Sequence, residues 1–405
     1  MRRSTLSRRR FVLGSLGLAG VVLAACGGGD DDTSTPGTSG TTATATTGGG
    51  NQAGATAAGN QPTATDTAGA SSTAPTQPAL ENTPTNVQPV DLSPEQLQQF
   101  RPNELGQVPV LEYHQFGSPP EQFVRTPDQF RSDLQWLYDH NFVVVKLRDF
   151  LDDAIDIPAG KRPVILTFDD SHVEQFRLTP LANGQLALDP NCAIGILETF
   201  FAAHPDFGRG GVFAILPHQL FNWPNAQDQN EHGTIKVNFL LDNGYELSNH
   251  SYDHVSLAEL STDEIIYQLC AWNDWVHSIR PDAQLDSITL PYGMYPIGEN
   301  GPGDDTLFRG CVYEGREYSW RCALQIGANP ATPPIANTYD PYAVARIQAF
   351  DEELYKWFDV FESDPGILYV SDGNPNTVTI PNDLHPWLVD TLDESKVGSR
   401  RLVRY

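Results

Sequence analysis

A short apolar run that ends on two carboxylates, Pro163 to Asp170, limits most strongly what this chain can fold into. The run is rich in β-branched and aromatic residues and lacks polar alternation, which is typical of a parallel strand covered on both faces. Asp169 and Asp170 then lie where such a strand meets solvent. Ligands and catalytic groups collect at the carboxyl ends of parallel strands, although adjacent Asp residues are also common in turns and helix N-caps.

Strand-like and helical segments alternate along the chain from residue 108 onward. The predicted strands, besides the one that begins at Pro163, are 108–114, 142–147, 211–216, 245–248, 287–290, 323–326, 345–350 and 366–370. Helices are predicted near 94, 127–138, 149–154, 196–203, 261–276 and 352–361. Two of these helices follow capping boxes that start at Thr126 and Ser261. The alternation predicts an α/β fold with one parallel barrel rather than two domains.

The first 26 residues have the pattern of an export signal. Arginines 8 to 10 precede an apolar run that ends at Ala25 and is too short for a stable membrane span, and the segment resembles a twin-arginine signal. The run closes on Leu-Ala-Ala-Cys, which resembles a bacterial lipobox and would make Cys26 the lipidated residue. An ordinary cleaved signal with an incidental Cys is the alternative. With lipidation, we expect an exported protein that is lipid-anchored at the outer face of the cytoplasmic membrane.

Residues 27–86 consist almost entirely of Gly, Thr, Ala, Ser, Pro, Gln and Asp. A segment with so few large apolar side chains cannot form a core and is typical of a disordered tether. The expected organisation is therefore a signal at 1–26, a tether at 27–105 and a folded domain at 106–405.

The chain is strongly acidic, with a formal net charge of −26 from 51 acidic and 25 basic residues. Nucleic-acid binding depends on Lys and Arg that neutralise phosphate, so the charge argues against a nucleic-acid partner. It also disfavours a strongly anionic polymer as substrate, which leaves neutral or cationic ones. Solubility at a cell surface is the alternative explanation of the charge.

Four cysteines remain if Cys26 is lipidated, and an even set in an oxidising compartment allows one or two disulfides. The sequence favours a bond between Cys311 and Cys322, because only a short loop separates them. The other two are Cys192 and Cys270. No Cys-x-x-Cys spacing occurs, so no structural zinc site is expected.

His250 and His254 directly follow a predicted strand. If the turn there is helical, their i, i+4 spacing places both imidazoles on one face, close enough to share a metal; surface or capping histidines are the alternative. With Asp170 they form a two-histidine, one-carboxylate set, which is the ligand count of a hydrolytic metal centre. Ser251 stands where a thermolysin-type peptidase has its Glu, so that class is excluded. The general base must come from elsewhere, and Asp169 is the candidate.

Three short motifs in this order resemble those of the polysaccharide deacetylases, also described as the NodB homology domain or carbohydrate esterase family four. They are Thr-Phe-Asp-Asp at 167–170, His-Ser-Tyr-Asp-His at 250–254 and Leu-Pro-Tyr-Gly at 290–293. The opening Pro-Val-Leu-Glu-Tyr-His at 109–114 is similar to the subgroup that deacetylates poly-N-acetylglucosamine. The resemblance extends from about residue 108 to residue 372.

The resemblance implies a distorted (β/α) barrel of about seven parallel strands and one divalent metal. The metal is most often Zn²⁺, with Co²⁺, Ni²⁺ and Fe²⁺ as alternatives. Asp170, His250 and His254 correspond to the family's metal ligands, and Asp169 corresponds to its general base.

The third motif implies an oxyanion contact. In the family the residue after Pro offers its backbone N–H to the oxyanion, and here Tyr292 follows Pro291, although Pro-Tyr-Gly is equally compatible with a simple turn. Many members carry an Arg just before this motif that orients the catalytic Asp, whereas this chain has Thr289 and Leu290. His114 is expected to contact the Asp pair or the substrate, with a buried histidine bonded to backbone as the alternative.

The family's last motif is Leu-x-His, whose histidine is the general acid. The matching strand, 366–372, contains no histidine. His385, further along the chain, and Asp372 are the candidate proton donors, and His172 or water are the alternatives. Loss of such a donor slows departure of the amine by up to about 10²–10⁴-fold and leaves the metal chemistry in place.

These features lead to one functional hypothesis and two alternatives. The hypothesis is metal-dependent hydrolysis of N-acetyl groups from a cell-surface or extracellular glycan that contains N-acetylglucosamine, with release of acetate. The first alternative is an O-acetyl esterase of the xylan type on the same fold, and the second is a non-catalytic glycan-binding module. The expected partners are an N-acetylated polysaccharide and, through the lipid anchor, the membrane.

Overall fold

The computed structural model describes residues 91–224, 226–298, 301–327 and 329–405. The predicted signal with Cys26 and most of the predicted tether therefore lie outside the described residues. Within those residues no helix is long and apolar enough to cross a membrane. Residues 94–100 form a helix and Leu105 is completely buried. The folded part of the chain thus begins before residue 106, the boundary expected from composition.

Local capping signals account for several helix starts in the described residues. The helices, numbered in chain order, are α1 (Pro94–Phe100), α2 (Pro127–Asp139), α3 (Leu147–Leu151), α4 (Ala193–Ala203), α5 (Gly233–Asp242), α6 (Thr262–Ile279), α7 (Thr306–Arg309) and α8 (Asp351–Ser363). Capping boxes at Ser93, Thr126 and Ser261 start α1, α2 and α6. In each box a hydroxyl and a Gln or Glu side chain satisfy backbone N–H groups that the first helical turn leaves unpaired.

One mainly parallel sheet organises the structure. Its strands are β1 (Val110–Tyr113), β2 (Phe142–Val144), β3 (Arg162–Asp169), β4 (Val212–Ile215), β5 (Glu246–Asn249), β6 (Ser287–Thr289), β7 (Cys322–Leu324) and β8 (Ile347–Gln348). Seven of them follow one another in the order β7-β6-β5-β4-β3-β1-β8, with β2 paired to the first half of β3. The sheet curls through 239° into a half-barrel. The predicted α/β fold, a distorted barrel of about seven parallel strands, is confirmed.

Shorter strand pairs lie outside the main sheet. They are Gln115–Phe116 with Val124–Arg125, Leu178–Pro180 with Leu186–Leu188, Ile297–Gly298 with Gly301–Pro302, Cys311–Tyr313 with Arg316–Tyr318, and Thr377–Ile380 with Arg401–Arg404.

Alternate residues of β3 face two different layers, which explains its unbroken apolar pattern. Leu166 and Phe168 pack in the cluster that also contains buried residues of α2 and α4, and the Phe168 ring stacks on that of Phe213 at 4.6 Å. Ile165 belongs to a second apolar cluster with residues of β1, β4 and β7. Thr167 follows on the same face as Ile165, because side chains alternate along a strand. The face with Ile165 is therefore apolar first and becomes polar towards the carboxyl end of β3.

Residues 366–370 and 233–242 are among the segments that differ from the secondary structure predicted from sequence. Residues 366–370 form isolated bridges with Asn103 and Gln107 rather than a barrel strand. Helix α5 is not among the predicted helices: the residues before it are rich in Asn and Gln, and no side chain caps its start at His232. Val237 and Leu240, which are completely buried, hold α5 against the core instead.

The cysteine pairing expected from sequence is also wrong in the structure. Cys311 lies with its Sγ 3.4 Å from the Sγ of Cys270. Cys322 is completely buried in β7, within the apolar cluster that contains Ile165. Short separation along the chain therefore did not identify the neighbour of Cys311.

Candidate active site

Three predicted ligand residues converge at the carboxyl edge of the sheet. Asp170 directly follows β3, and His250 directly follows β5. The Nε2 atoms of His250 and His254 lie 3.1 Å and 3.2 Å from the same oxygen, Oδ1 of Asp170. Their donor atoms all lie within 4.8 Å of one another, a spacing that allows one metal ion to be shared.

The two histidines meet through a bent loop and not through the helical turn expected from their spacing. Ser251 has φ of 58° and His254 has φ of 53°, both in the left-handed region. The loop is held by side-chain hydrogen bonds: the Ser251 N–H donates to Asn249 Oδ1 at 3.0 Å, and the Val255 N–H donates to Ser251 Oγ at 3.3 Å. Polar side chains with local hydrogen bonds are suited to such turns.

Unfavourable backbone conformations are concentrated at this site. Non-glycine residues with left-handed φ include Asp170, Ser171, Ser251, His254 and Tyr292, all within or next to the three motifs. Each such conformation costs on the order of 1–3 kcal/mol and persists only where surrounding contacts impose it. The clustering indicates that the fold holds these residues in place for a function.

The hydrogen bonds of His250 leave a place for a proton or a metal ion between these groups. Its Nδ1 lies 2.8 Å from the carbonyl oxygen of Thr289, which can only accept, so Nδ1 carries the proton. In the neutral ring the lone pair of Nε2 then faces Oδ1 of Asp170, and two acceptors oppose each other. A proton or a metal ion resolves this opposition, and a set of two imidazoles and one carboxylate suits Zn²⁺.

Electrostatics favour the charged form of this set. Burial, the largest influence, raises the pKa of Asp170, but the hydrogen bonds with His250 and His254 outweigh it, and the pKa lies well below its usual value. Burial lowers the pKa of His250, but the hydrogen bond to Asp170 and the negative charge of Asp169 outweigh it and raise that pKa. The carboxylate therefore stays ionised and attracts positive charge to this position.

Asp169 is gripped by a buried arginine that the sequence reasoning missed. Arg346, just before β8, donates from Nη1 and Nη2 to the two carboxylate oxygens of Asp169, both at 2.9 Å. It also donates to Thr167 Oγ1 at 3.0 Å and to the carbonyl oxygen of Gln325 at 2.7 Å. Burial raises the pKa of Asp169, but the positive charge of Arg346, followed by that of His250, more than offsets it and lowers the pKa.

Thr289 and Leu290 have no charged group that could pair with Asp169, and Arg346 makes this contact instead. Its guanidinium comes from the residue before β8, 177 residues from Asp169 along the chain. The sequence signal for it was a charged residue within the predicted strand 345–350.

Glu112 is a second residue near Asp169 that sequence reasoning missed, and its carboxyl group lies beside the His114 ring. Glu112 Oε1 lies 3.5 Å from Nε2 of His114 and 3.3 Å from Nη2 of Arg346. Both carboxyl oxygens are buried and neither has a partner with hydrogen-bond geometry. Burial raises the pKa of Glu112 to about 8, although the charge of Arg346 opposes this. The ligand-type atoms of Glu112, His114 and Asp169 lie within 4.8 Å of one another, so the His114 ring lies close to Asp169.

The third motif forms a tight turn beside the histidines. Pro291 is buried, whereas Tyr292 is 59% exposed and its ring lies 4.7 Å from that of His254. Tyr292 has φ of 57° and ψ of 11°. Gly293 follows with φ of 67°, and a Cβ there would meet Ile326 Cγ2 at 2.1 Å. Within the described residues the Tyr292 N–H makes no hydrogen bond, which leaves it available to a ligand.

His385, a predicted proton donor, lies at the opposite end of the barrel. It contacts Asp364, with Nε2 3.0 Å from Oδ2, and lines a cavity together with Arg162, the first residue of β3. Asp169 is the last residue of this strand, so seven steps of about 3.3 Å separate the two ends by roughly 23 Å. The expectation that His385 donates a proton at the Asp pair is corrected by this position.

Asp372, the other predicted donor, is at the same distant end. The neighbouring Ser371 N–H donates to the carbonyl oxygen of Lys161, the residue before β3, at 3.0 Å. The buried carboxylate of Asp372 accepts hydrogen bonds from the hydroxyls of Thr377 and Thr379. Its role in the structure is to hold the following loop, and it does not reach the candidate site.

His172, the remaining alternative, is placed close to the Asp pair but is already engaged. Its Nδ1 accepts a hydrogen bond from the Glu174 N–H at 3.2 Å, and its ring lies 5.3 Å from that of Trp223. Burial lowers its pKa to about 4, although the charge of Asp170 opposes this. The hydrogen bond and the ring contact therefore hold His172 within its own loop.

Solved structures that are similar to this chain include polysaccharide deacetylases and other deacetylases. They include the deacetylase PplD of Streptococcus pyogenes in complex with acetate, with 17% identity, a TM-score of 0.45 and coverage of 62% of this chain and 97% of that one. IcaB of Ammonifex degensii has 15% identity, a TM-score of 0.43 and coverage of 63% and 96%.

A polysaccharide deacetylase of Bacillus cereus has 15% identity, a TM-score of 0.43 and coverage of 62% of this chain and 69% of that one. The sequence matches no protein-family model and no curated protein. Because each of these TM-scores is below 0.5, the fold assignment rests on the strand order and curvature of the sheet itself.

Proposed function

We propose that this chain is a metal-dependent deacetylase that hydrolyses N-acetyl groups of a glycan containing N-acetylglucosamine and releases acetate. The observation that carries the proposal is the convergence of Asp170, His250 and His254 beside a separate carboxylate, Asp169. Two imidazoles and one carboxylate are the protein ligands of many hydrolytic zinc centres. A base that is not itself a ligand is the further group that hydrolysis requires.

The residues of the site divide the work of amide hydrolysis. Asp170, His250 and His254 would hold one divalent cation, most simply Zn²⁺, which when bound polarises the acetyl carbonyl and lowers the pKa of the attacking water. Asp169 accepts the proton of that water. The unpartnered N–H of Tyr292 donates to the carbonyl oxygen as negative charge develops on it, a contact that strengthens only in the transition state.

His114 is the side chain best placed to protonate the departing amine. It directly follows β1, its ring nitrogen lies within 4.8 Å of a carboxylate oxygen of Asp169, and 17% of its side chain is exposed, so it reaches both the buried cluster and the opening. Burial lowers its pKa, with the charge of Asp169 opposing this, whereas the pKa of neighbouring Glu112 is raised to about 8.

The proposed substrate and location rest on sequence features outside the site. A net charge of −26 repels anionic polymers, whereas an N-acetylglucosamine polymer is neutral and its deacetylated product is cationic. Arginines 8 to 10 and Cys26 support export and lipid anchoring at the outer face of the cytoplasmic membrane. An anchored deacetylase would act on glycans at the cell surface.

Acetate release tests the activity. The purified protein with Zn²⁺ should release acetate from N-acetylglucosamine oligomers, and removal of the metal by a chelator should stop the release until Zn²⁺ is restored. Release from acetylated xylan alone would replace the proposal with an O-acetyl esterase. Binding of the oligomers without release from either substrate would indicate a glycan-binding module.

Two substitutions test the division of roles. Asp169→Asn should retain zinc, measured by elemental analysis, and lose activity, because the base is gone while the ligands remain. His250→Ala should lose both zinc and activity. Equal activity of Asp169→Asn and the unaltered protein would contradict the assignment of the base.

A matched control comes from another histidine that contacts an Asp. His385 pairs with Asp364 at the opposite end of the barrel, so His385→Ala should keep both zinc and activity. His114→Ala should keep zinc and lose about 10²–10⁴-fold in kcat, the usual contribution of a general acid. Unchanged kcat in His114→Ala would assign proton donation to water.

A further inference from the structure

Two cysteines from different elements of the described structure lie side by side. Cys270 belongs to α6, and Cys311 begins the 311–318 hairpin, which is part of the long connection between β6 and β7. Their Sγ atoms are 3.4 Å apart. We propose that Cys270 and Cys311 are a disulfide site that cross-links the 311–318 hairpin to α6 when the protein meets a disulfide oxidant.

The helix presents one continuous face to the hairpin. Tyr267, Cys270 and Asp274 are spaced by three and four residues, so their side chains leave α6 on the same side. At one end of this face the Tyr267 ring lies 6.3 Å from the ring of Tyr313 in the hairpin. Cys270 is therefore in the middle of an extended contact.

The strand register of the hairpin places its contact residues opposite this face of α6. Cys311 and Tyr318 are direct partners across its two strands. The Tyr318 hydroxyl donates to Asp274 Oδ1 at 2.6 Å, and Arg316 forms an ion pair with the same carboxylate. Because Asp274 is one helical turn beyond Cys270, these contacts hold Cys311 against Cys270. The approach of the two sulfur atoms thus follows from the docking of the whole hairpin.

The two thiols have complementary roles in forming the bond. Cys311 is partly exposed, and the hydrogen bond from Cys270 lowers its pKa, with burial opposing this. The Cys311 thiolate attacks oxidised glutathione and releases one glutathione thiolate. Cys270, after losing its proton, then attacks Sγ of Cys311 and releases the second glutathione. Overall the two protein thiols lose two protons and two electrons, and one glutathione disulfide becomes two glutathione thiols.

The other described cysteines do not compete for this bond. Cys322 is enclosed by apolar side chains of β1, β3 and β4. Cys192 is buried at the start of α4, where its Sγ accepts a hydrogen bond from the Gly195 N–H at 3.4 Å.

Helix α6 connects the proposed cross-link to the candidate site, because it contacts both the hairpin and the residue before His250. Asn249, the residue before His250, donates from Nδ2 to the Leu269 carbonyl oxygen at 2.8 Å and to Asn273 Oδ1 at 3.0 Å. The hairpin and the His250 loop therefore rest on the same helix. A bond between residues 41 apart also restricts the unfolded chain, which raises the unfolding temperature.

Peptide mapping tests the bond directly. The full chain is incubated with oxidised glutathione, its free thiols are blocked with N-ethylmaleimide, and it is digested without reductant for mass spectrometry. We expect a peptide pair linked through Cys270 and Cys311, with Cys192 and Cys322 blocked as free thiols. Blocked thiols at both Cys270 and Cys311, or a link between Cys311 and Cys322, would overturn the proposal.

Thermal unfolding provides the second measurement. Reduction with dithiothreitol should lower the unfolding temperature of the oxidised protein by about 5 °C. Cys311→Ser, at a partly exposed position, should fold and lose this response, whereas Cys322→Ala should keep it. An equal response to reductant in Cys311→Ser and the unaltered protein would show that the bond does not involve this pair. Neither measurement depends on deacetylase activity.

Discussion

The ion pair between Arg346 and Asp169 predicts a large and specific effect of Arg346→Met. Two charge-assisted hydrogen bonds of 2.9 Å connect these buried side chains. At about 1.5–3 kcal/mol each they contribute roughly 3–6 kcal/mol. Breaking a buried pair by removing one partner costs about 3–5 kcal/mol, which agrees with this range. We therefore expect urea unfolding to show a loss of about 3–5 kcal/mol in the free energy of unfolding.

The same substitution should change the pH dependence of activity. Arg346 is the largest influence that lowers the pKa of Asp169 against the effect of burial. A lowered pKa keeps the base ionised and its stabilising contribution present until the pH falls through the folded-state pKa. Without Arg346, burial prevails and the pKa of Asp169 rises. The acid limb of kcat/KM should move to higher pH in Arg346→Met, and kcat should fall by roughly 10²-fold because the base is no longer oriented.

A second buried arginine provides the matched control. Arg125 also grips a buried carboxylate, with Nε donating to Asp133 Oδ2 at 2.8 Å, and it does not contact Asp169. Arg125→Met should lose a similar free energy of unfolding without moving the acid limb. Arg346→Lys keeps the positive charge but cannot donate to both carboxylate oxygens at once. The acid limb of its kcat/KM profile should therefore move less than that of Arg346→Met. If Arg346→Met and Arg125→Met have the same acid limb, the reasoning about Asp169 is refuted.

Three further outcomes follow from the structure. Gly293→Ala should lower both activity and thermal stability, because the new Cβ would meet Ile326 at 2.1 Å and the φ of 67° is unfavourable for Ala. Acetate release and thermal melts followed by circular dichroism measure the two effects. An unchanged melting temperature would contradict this expectation. Tyr292→Asn should keep kcat within a few-fold, since its N–H and left-handed backbone are retained; a loss as large as that of Asp169→Asn would assign the side chain a chemical role. Glu104→Gln should flatten the pH dependence of stability by up to about 1.4 kcal/mol per pH unit between pH 4.5 and 8. Burial, followed by the charge of Asp372, raises the Glu104 pKa to about 8. The folded state therefore keeps a proton that the unfolded chain releases, and the free energy of unfolding falls as pH rises. The same pH dependence of this free energy in Glu104→Gln and the unaltered protein, measured by urea unfolding, would contradict this.

Sequence reasoning succeeded where the determinants are local. The apolar run at Pro163 and the capping boxes at Thr126 and Ser261 depend on neighbouring residues, and they predicted a barrel strand and two helices. The spacing of His250 and His254 correctly indicated that the imidazoles meet, but for the wrong reason. A bent loop with left-handed residues brings them together, and periodicity cannot reveal such a loop.

The missed residues depend on contacts between distant strands. Arg346, just before β8, and Glu112, in β1, both lie next to Asp169, and neither belongs to one of the three motifs that first marked the site. His385 seemed a candidate because it follows the last predicted strand. That segment instead pairs with residues near the amino end of the barrel, which takes His385 away from the site. Short motifs locate a site, but sheet register decides which other side chains enter it.

The register of β1 against β3 links the stability of the fold to the chemistry of the site. Glu112 is directly opposite Thr167, and Tyr113 is directly opposite Phe168. A slip by one residue would turn Tyr113 towards the polar cluster and Glu112 into the apolar layer beneath the helices. Tyr113 and Phe168 stack at 5.5 Å in that layer, and burial of each large apolar side chain contributes about 1.5–3 kcal/mol. The apolar residues that stabilise the barrel thereby also fix Glu112 and the residues that follow it at the carboxyl edge where the candidate site lies.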